Sequence, residues 1–354
     1  MTIYFWYDNL SRDLIKNGTL ENLKERGITG VTSNPTIFKN AILNSSSYEE
    51  DIKRLKGMSP EEICWELMIS DVSLACDLFM PAYQSSNGNT GYVSIELNPL
   101  FSNNISKSVE QALYLRERIN KPNLMIKVPA TNEGFYIIRE LTRKGINVNV
   151  TLIFSLDQYL KACESYLLGL EDRLSDGNEI SSVFSVASFF VSRVDASVNK
   201  YIQEGKIDHK FMNETSYRNC HRVYHAWRQV FASKRFKDLK NRTANVQRVL
   251  WASTGVKDKS VPEEHYLSKL TFDEVVFTLP EQTLNKALEI NWLDNFVPSE
   301  LTNVEELDAF FRVFNDQGYS FEYLLWELTE KGVQLFAESY NELLKAIHQK
   351  TTLM

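Results

Sequence analysis

The sequence predicts an α/β protein built as a single (β/α)8 barrel, and three observations carry that prediction. Eight short β-leaning runs begin near residues 3, 30, 92, 124, 148, 183, 246 and 274, and most gaps between them read as helix. Strand and helix alternating through 354 residues suits a parallel sheet closed on itself. A doubly wound open sheet usually follows its first strand with a glycine-rich turn, and here that turn is YDNLSRD. No Gly/Ser/Pro-rich linker divides the chain, so residues 1–354 are read as one domain.

Taken in order, the first strand is Ile3–Tyr7, ending at Asp8. Ser11 is placed to cap a helix over Arg12–Lys16 that Gly18 stops, and Thr19 to cap the next, over Leu20–Arg26. A short strand, Gly30–Ser33, runs into Asn34-Pro35, where proline ends it. Residues 36–83 follow a helical pattern, with Ser59-Pro60-Glu61-Glu62 supplying a capping serine, a first-turn proline and a glutamate at the third position. Beyond the polar loop at 85–91 come strand Tyr92–Leu97 and helix Lys107–Ile119. Leu124–Ala130 and Val148–Phe154 then flank a helix-like segment, the sequence form of a parallel βαβ unit.

Leu156–Leu174 is helical, and Ser182–Val191 is a strand ending in Ser192-Arg193. A long polar, aromatic and basic helical stretch covers 194–236. Val246–Ala252 and Glu274–Leu279 complete the eight strands, the last stopped by Pro280. From about 281 the chain is helical with apolar periodicity. There Phe310, Phe311, Phe321, Tyr323 and Trp326 read as packing against the barrel, and the last helix as a candidate cover for its mouth.

Composition narrows the function. A net charge of −7 argues against general nucleic-acid binding, and the basic cluster Lys234–Arg242 reads as a solvated helix end. Four cysteines without CxxC spacing read as buried thiols of a reducing compartment. No apolar run is long enough to span a bilayer, and MTIYFWYDNL lacks the basic-then-apolar pattern of a secretory signal. A cytoplasmic protein is expected. His221 and His225 sit four apart, a spacing that can bind metal. Arg222 stands where the usual companion glutamate would be and no third ligand is evident, so the pair reads as a surface helix face and no metal is expected.

Strand ends supply the chemistry, because catalytic groups of such barrels collect there. Lys127 lies within the apolar run Leu124–Ala130. A cation in such a run is costly unless it is paired or gives up its proton, and a neutral amine attacks carbonyls to form a Schiff base. The plainer reading is a strand lysine whose ammonium emerges into water. The other strand ends carry Asp8, Asn34, Glu96, Asn149 with Thr151, Ser188 with Arg193, and Ser253 with Lys257. As a set they describe carbonyl chemistry. Lys127 forms the imine, Glu96 and Thr151 hold the water released and consumed, and Asp8 moves a substrate hydroxyl proton during carbon–carbon cleavage. Arg193, with Lys257 and Ser192, suits a phosphate, whose oxygens match a guanidinium fork.

These motifs resemble the transaldolases. GVTSNPTIF (30–38), GYVSIEL (91–97), LMIKVPAT (124–131), GINVNVTLIFS (145–155), SVASFFVSRVD (185–195) and LWAST (250–254) all look like that family's barrel strands, and WYDNLSRDL looks like its first strand and helix. The likeness runs through essentially the whole chain. It implies a Schiff-base role for Lys127, an acid–base role for Asp8, and handling of the catalytic water by Glu96 and Thr151. It implies that Asn34, Asn149 and Ser188 hold a dihydroxyacetone unit, that Arg193 binds phosphate and that Lys257 is a second cationic contact. The implied reaction carries a dihydroxyacetone unit from sedoheptulose 7-phosphate to glyceraldehyde 3-phosphate, giving erythrose 4-phosphate and fructose 6-phosphate, without metal or organic cofactor. Sugar phosphates are the expected partners of a monomer or homodimer.

Fructose 6-phosphate aldolases of the same superfamily carry a tyrosine where this chain has Phe190. A phenyl ring offers no proton to the water, which favours group transfer over simple aldol cleavage. Phe277 stands where similar sequences more often have asparagine, and residues 205–245 match only loosely. An aldolase or lyase acting on another ketose in a specialised pathway is the alternative within the class, and a non-catalytic barrel the alternative outside it.

Overall fold

The computed structural model describes residues 1–353. Its eight strands are β1 (Ile3–Tyr7), β2 (Ile28–Thr32), β3 (Tyr92–Glu96), β4 (Leu124–Pro129), β5 (Val148–Ile153), β6 (Ser185–Phe190), β7 (Gln247–Ala252) and β8 (Val275–Leu279). They are parallel, follow chain order around the sheet, and close where β1 pairs with β8 from Ile3↔Val275 to Tyr7↔Leu279. The (β/α)8 barrel expected from the sequence is therefore the fold. Strand 2 begins two residues earlier than its apolar run suggested, and strand 6 three residues later than Ser182.

Side-chain alternation builds the two cores. Phe5, Val93, Ile126, Val148, Phe189, Trp251 and Phe277 turn outward and pack under the helices. Trp6, Tyr92, Met125, Val186, Leu250 and Val276 turn inward and fill the barrel. Gly30 is required by this plug: a Cβ there would sit 2.7 Å from Cε2 of Trp6. With the lower layers apolar, the upper ends are left for polar groups.

Helix starts follow their capping chemistry. Ser11 accepts from the Leu14 amide, and Ser59 with Glu62 and Ser155 with Gln158 each form a complete capping box. Thr19 does not cap. It is the first residue of helix Thr19–Glu25, and Gly18, at φ +77, is the cap residue, a conformation open to glycine. The basic stretch 194–236 is interrupted, giving Ser192–Gln203, Thr215–Ala232 and Lys234–Lys240. Arg12 is buried after β1, with its guanidinium on Asp71 (2.8 Å) and on Asp51, while Tyr48 Oη donates to Asp71 at 2.7 Å. That pairing of a buried cation fixes the helix that follows Asp8.

The last helix, Phe321–Leu353, packs across helices Pro35–Asn44 and Pro60–Ser85 and reaches β5. Phe311 and Phe321 stack in its interface, as expected. Tyr323 and Trp326 do not pack on the barrel: they are 59% and 55% exposed, on the solvent side of the same helix. All four cysteines are buried and free. Among the described residues no helix is long and apolar enough to cross a membrane.

His221 is not on a surface face either. It is buried, with Nε2 2.9 Å from the Lys269 carbonyl and Nδ1 3.0 Å from Thr302 Oγ1. A carbonyl only accepts, so Nε2 carries the proton, and Nδ1 accepts from the Thr302 amide at 3.2 Å, so the ring is neutral. His225 Nε2 contacts the Thr302 carbonyl at 2.8 Å. Burial pulls the His221 pKa down from 6.5 to about 4. The unfolded chain thus takes up this proton first, and stability contributed above pH 6.5 is lost as the pH falls toward 4, by about 3 kcal/mol in full. Urea midpoints measured between pH 7 and pH 4.5 are expected to fall more steeply for the wild type than for His221→Gln.

Candidate active site

Residues from seven strand ends meet at the barrel mouth around a chamber of about 80 Å³. β4 delivers Lys127, whose Nζ lies 3.3 Å from Glu96 Oε2 on β3 and donates to the Ser33 carbonyl at 3.1 Å. Both side chains are nearly inaccessible, Lys127 at 5% and Glu96 at 4%. The amine therefore does not emerge into water; it is paired inside the barrel. Burial pushes the Glu96 carboxyl above the ordinary carboxylate range, and the Lys127 cation draws it part of the way back. A carboxylate so raised is a better acceptor for the ammonium proton.

Asp8 stands just past β1. Thr32 Oγ1 donates to Asp8 Oδ1 at 2.7 Å and lies 2.6 Å from Thr278 Oγ1, so β1, β2 and β8 are joined by one hydroxyl chain. Thr151 on β5 lines the chamber, and its buried Oγ1 has no hydrogen-bond partner within the protein. Glu96 Oε2 likewise lacks an aligned donor. Asn34 caps helix Pro35–Asn44, accepting from the Ile37 amide at 3.0 Å, and also faces the chamber.

Ser188 reaches the wall from β6 and donates to Asn149 Oδ1 at 2.6 Å; Asn149 Nδ2 donates to Ser94 Oγ at 3.1 Å. Asn149 is thus committed to the floor beneath the chamber. Phe190 packs against Phe154 and carries the Arg193 guanidinium 5.2 Å from its ring centroid. Arg193 is partly buried, which disfavours its charge, with Asp8 and Glu96 acting in its favour. Among the described residues it has no carboxylate within ion-pair distance. Asp195 anchors that helix from behind: it accepts from the Ser216 amide and from Tyr266 Oη, each at 2.8 Å, and burial raises its pKa to about 7.

Lys257 is exposed on the loop leaving β7 and lies outside the chamber wall. Phe277 faces away, edge-on to Phe5 at 5.8 Å, and the inward residue of β8 is Thr278. Sequence reading passed over Thr32, Thr278, Ser94 and Phe336. The two threonines share the inward parity of Trp6 and Val276, a signal that strand alternation does contain. Phe336, from the last helix, carries no such local signal. Larger clefts occur elsewhere, one of about 560 Å³ beside Trp227 and Arg248 at the opposite end of the barrel. None of them holds a buried amine beside a carboxylate. Among the described residues no group of three His, Cys, Asp or Glu side chains could hold a metal ion.

A buried amine between a carboxylate and a carbonyl oxygen, facing an aspartate and an unpaired guanidinium, is equipped for covalent carbonyl chemistry on an anionic substrate. The family model described as transaldolase/fructose-6-phosphate aldolase matches residues 5–347. The chain is 35% identical to a transaldolase of Saccharopolyspora erythraea over 98% of its own length and 95% of the relative's. It is 37% identical to a transaldolase of Frankia alni, covering 98% and 94%. A protein named transaldolase 2 from a Nostoc species is 34% identical, covering 99% and 95%.

Proposed function

The chain belongs to the transaldolase/fructose-6-phosphate aldolase family, and we propose that Lys127 is the amine on which its chemistry runs. It is an enzyme, a transferase of the transaldolase type. The observation that carries the assignment of Lys127 is its burial against Glu96 at the barrel mouth.

The Lys127 amine adds to the ketose carbonyl, the adduct loses water, and an imine forms. Glu96 and Thr151 hold that water, and the buried Thr151 Oγ1, which has no partner within the protein, supports this role. Asp8 takes the proton of the hydroxyl on the far carbon of the bond that breaks, and that carbon becomes the aldehyde of the departing aldose. The aldose leaves, and the electron pair stays on the Lys127-bound three-carbon unit. An incoming aldehyde is attacked, Asp8 returns the proton, and water releases the new ketose. Asn34 and Ser188 hold the dihydroxyacetone hydroxyls, with Asn149 setting Ser188 from below. Arg193 binds the phosphate, and Lys257 adds an outer positive charge from its loop. The donor is sedoheptulose 7-phosphate and the acceptor glyceraldehyde 3-phosphate. We take residues 1–354 as one domain, on a core that runs from Ile3 to Ile347, in a cytoplasmic monomer or homodimer.

The test is acceptor dependence. Fructose 6-phosphate is expected to turn over rapidly only when erythrose 4-phosphate is supplied; equal turnover without an acceptor would make the enzyme a simple aldolase. Phe190→Tyr is expected to raise acceptor-free release of dihydroxyacetone relative to transfer, measured by coupled reduction. Arg193→Ala is expected to raise KM for the phosphorylated donor roughly 10- to 100-fold, the loss of one or two charge-assisted hydrogen bonds, with a smaller effect on kcat.

A further inference from the structure

Thr151 faces the chamber at an irregularity in its own strand. Val150 turns outward under the helices, so regular alternation would turn Leu152 outward as well. Instead Leu152 takes φ +56, and β5 advances from Val150 to Ile153 while β6 advances only from Ala187 to Phe189. That extra residue is a bulge, and it puts Thr151 and Leu152 side by side at the mouth. A leucine in the left-handed region persists only where its surroundings hold it.

The last helix does the holding. Gly332 lies so close that a Cβ on it would meet Leu152 Cδ2 at 2.8 Å and Cδ1 at 3.4 Å, and Leu152 is fully buried, with little room to retreat. Glycine is otherwise a poor choice in mid-helix, so the close approach accounts for it. One turn earlier, buried Thr329 accepts from Gln158 Nε2 at 3.0 Å. The same amide bonds the Ala130 carbonyl at 3.0 Å, and its oxygen accepts from the Phe154 amide at 3.0 Å. One turn later, Phe336 lines the chamber. Residues 329, 332 and 336 share one helix face.

We propose that Leu152 and Gly332 are positioning residues for Thr151: the last helix clamps the bulge and thereby sets the hydroxyl at the reacting centre. The inference rests on the reading of Thr151 as the group that holds the catalytic water. Gly332→Ala is expected to lower kcat about tenfold, as misplacement of a reacting group does, with KM for fructose 6-phosphate within about twofold and only a small fall in the thermal midpoint. The fall stays small because the better helix propensity of alanine offsets part of the overpacking. Leu152→Ala/Gly332→Ala, which removes the colliding Cδ atoms, is expected to recover most of the lost kcat. Thr151→Ala is run beside them. If Thr151→Ala is impaired while Gly332→Ala keeps wild-type kcat per folded molecule, or if the double variant is no better than Gly332→Ala, the clamp is overturned. If Thr151→Ala itself keeps full kcat, the reading of Thr151 fails and the clamp fails with it.

Discussion

Lys127→Met is expected to lower kcat by roughly a thousandfold or more, because it removes the nucleophile and no second amine lines the chamber wall. The substitution nearly conserves volume, so the loss belongs to the chemistry and the fold should survive. Glu96 is then left buried without its cation. Its carboxyl, already raised by burial, becomes neutral more readily, which limits the cost of the missing partner. The thermal midpoint is therefore expected to fall little. The decisive measurement is borohydride reduction with fructose 6-phosphate, followed by peptide mass mapping. The wild type should carry a dihydroxyacetone-sized adduct on Lys127, and Lys127→Met none. An adduct on any other lysine would overturn the assignment.

What could be read in advance was governed by periodicity. The strands stand out as short apolar, β-leaning runs of five or six residues, and a closed barrel suits eight of them alternating with helices. Lys127 was legible because a cation breaks an apolar run. Glu96 was legible as a strand-end carboxylate, and the β3/β4 register then places it directly beside Lys127. Tertiary distance hid the rest. Phe336 and Gly332 enter the site from a helix about 180 residues after β5, and no local pattern announces which face of that helix turns inward. The bulge at Leu152 was equally hidden, because leucine gives no hint of a left-handed backbone. At Phe277, where similar sequences more often carry asparagine, register turns the side chain outward, and Thr278 is the β8 residue that faces the mouth. His221 was misplaced because four-residue spacing describes a helix face without saying whether that face is wet.

Asp8→Asn is expected to lower kcat by about 10²- to 10⁴-fold, the usual range for a positioned proton carrier. The hydroxyl chain through Thr32 and Thr278 explains why an isosteric amide should not substitute. Thr32 Oγ1 donates to Asp8 Oδ1, leaving the other carboxylate oxygen as the acceptor for the substrate proton. An amide can preserve the Thr32 contact through its carbonyl, but it then presents NH2, a donor, where an acceptor is needed. Imine formation depends on Lys127, Glu96 and Thr151 and should proceed. The bond between the carbon next to the imine and the hydroxyl-bearing carbon beyond it would then stay intact, so the Asp8→Asn enzyme should accumulate the whole ketose on its lysine. Borohydride reduction is expected to trap an adduct with the mass of fructose 6-phosphate on Lys127 in that variant, and the three-carbon adduct in the wild type. A three-carbon adduct formed by Asp8→Asn at the wild-type rate would remove Asp8 from the cleavage step and leave the proton to another group at the mouth.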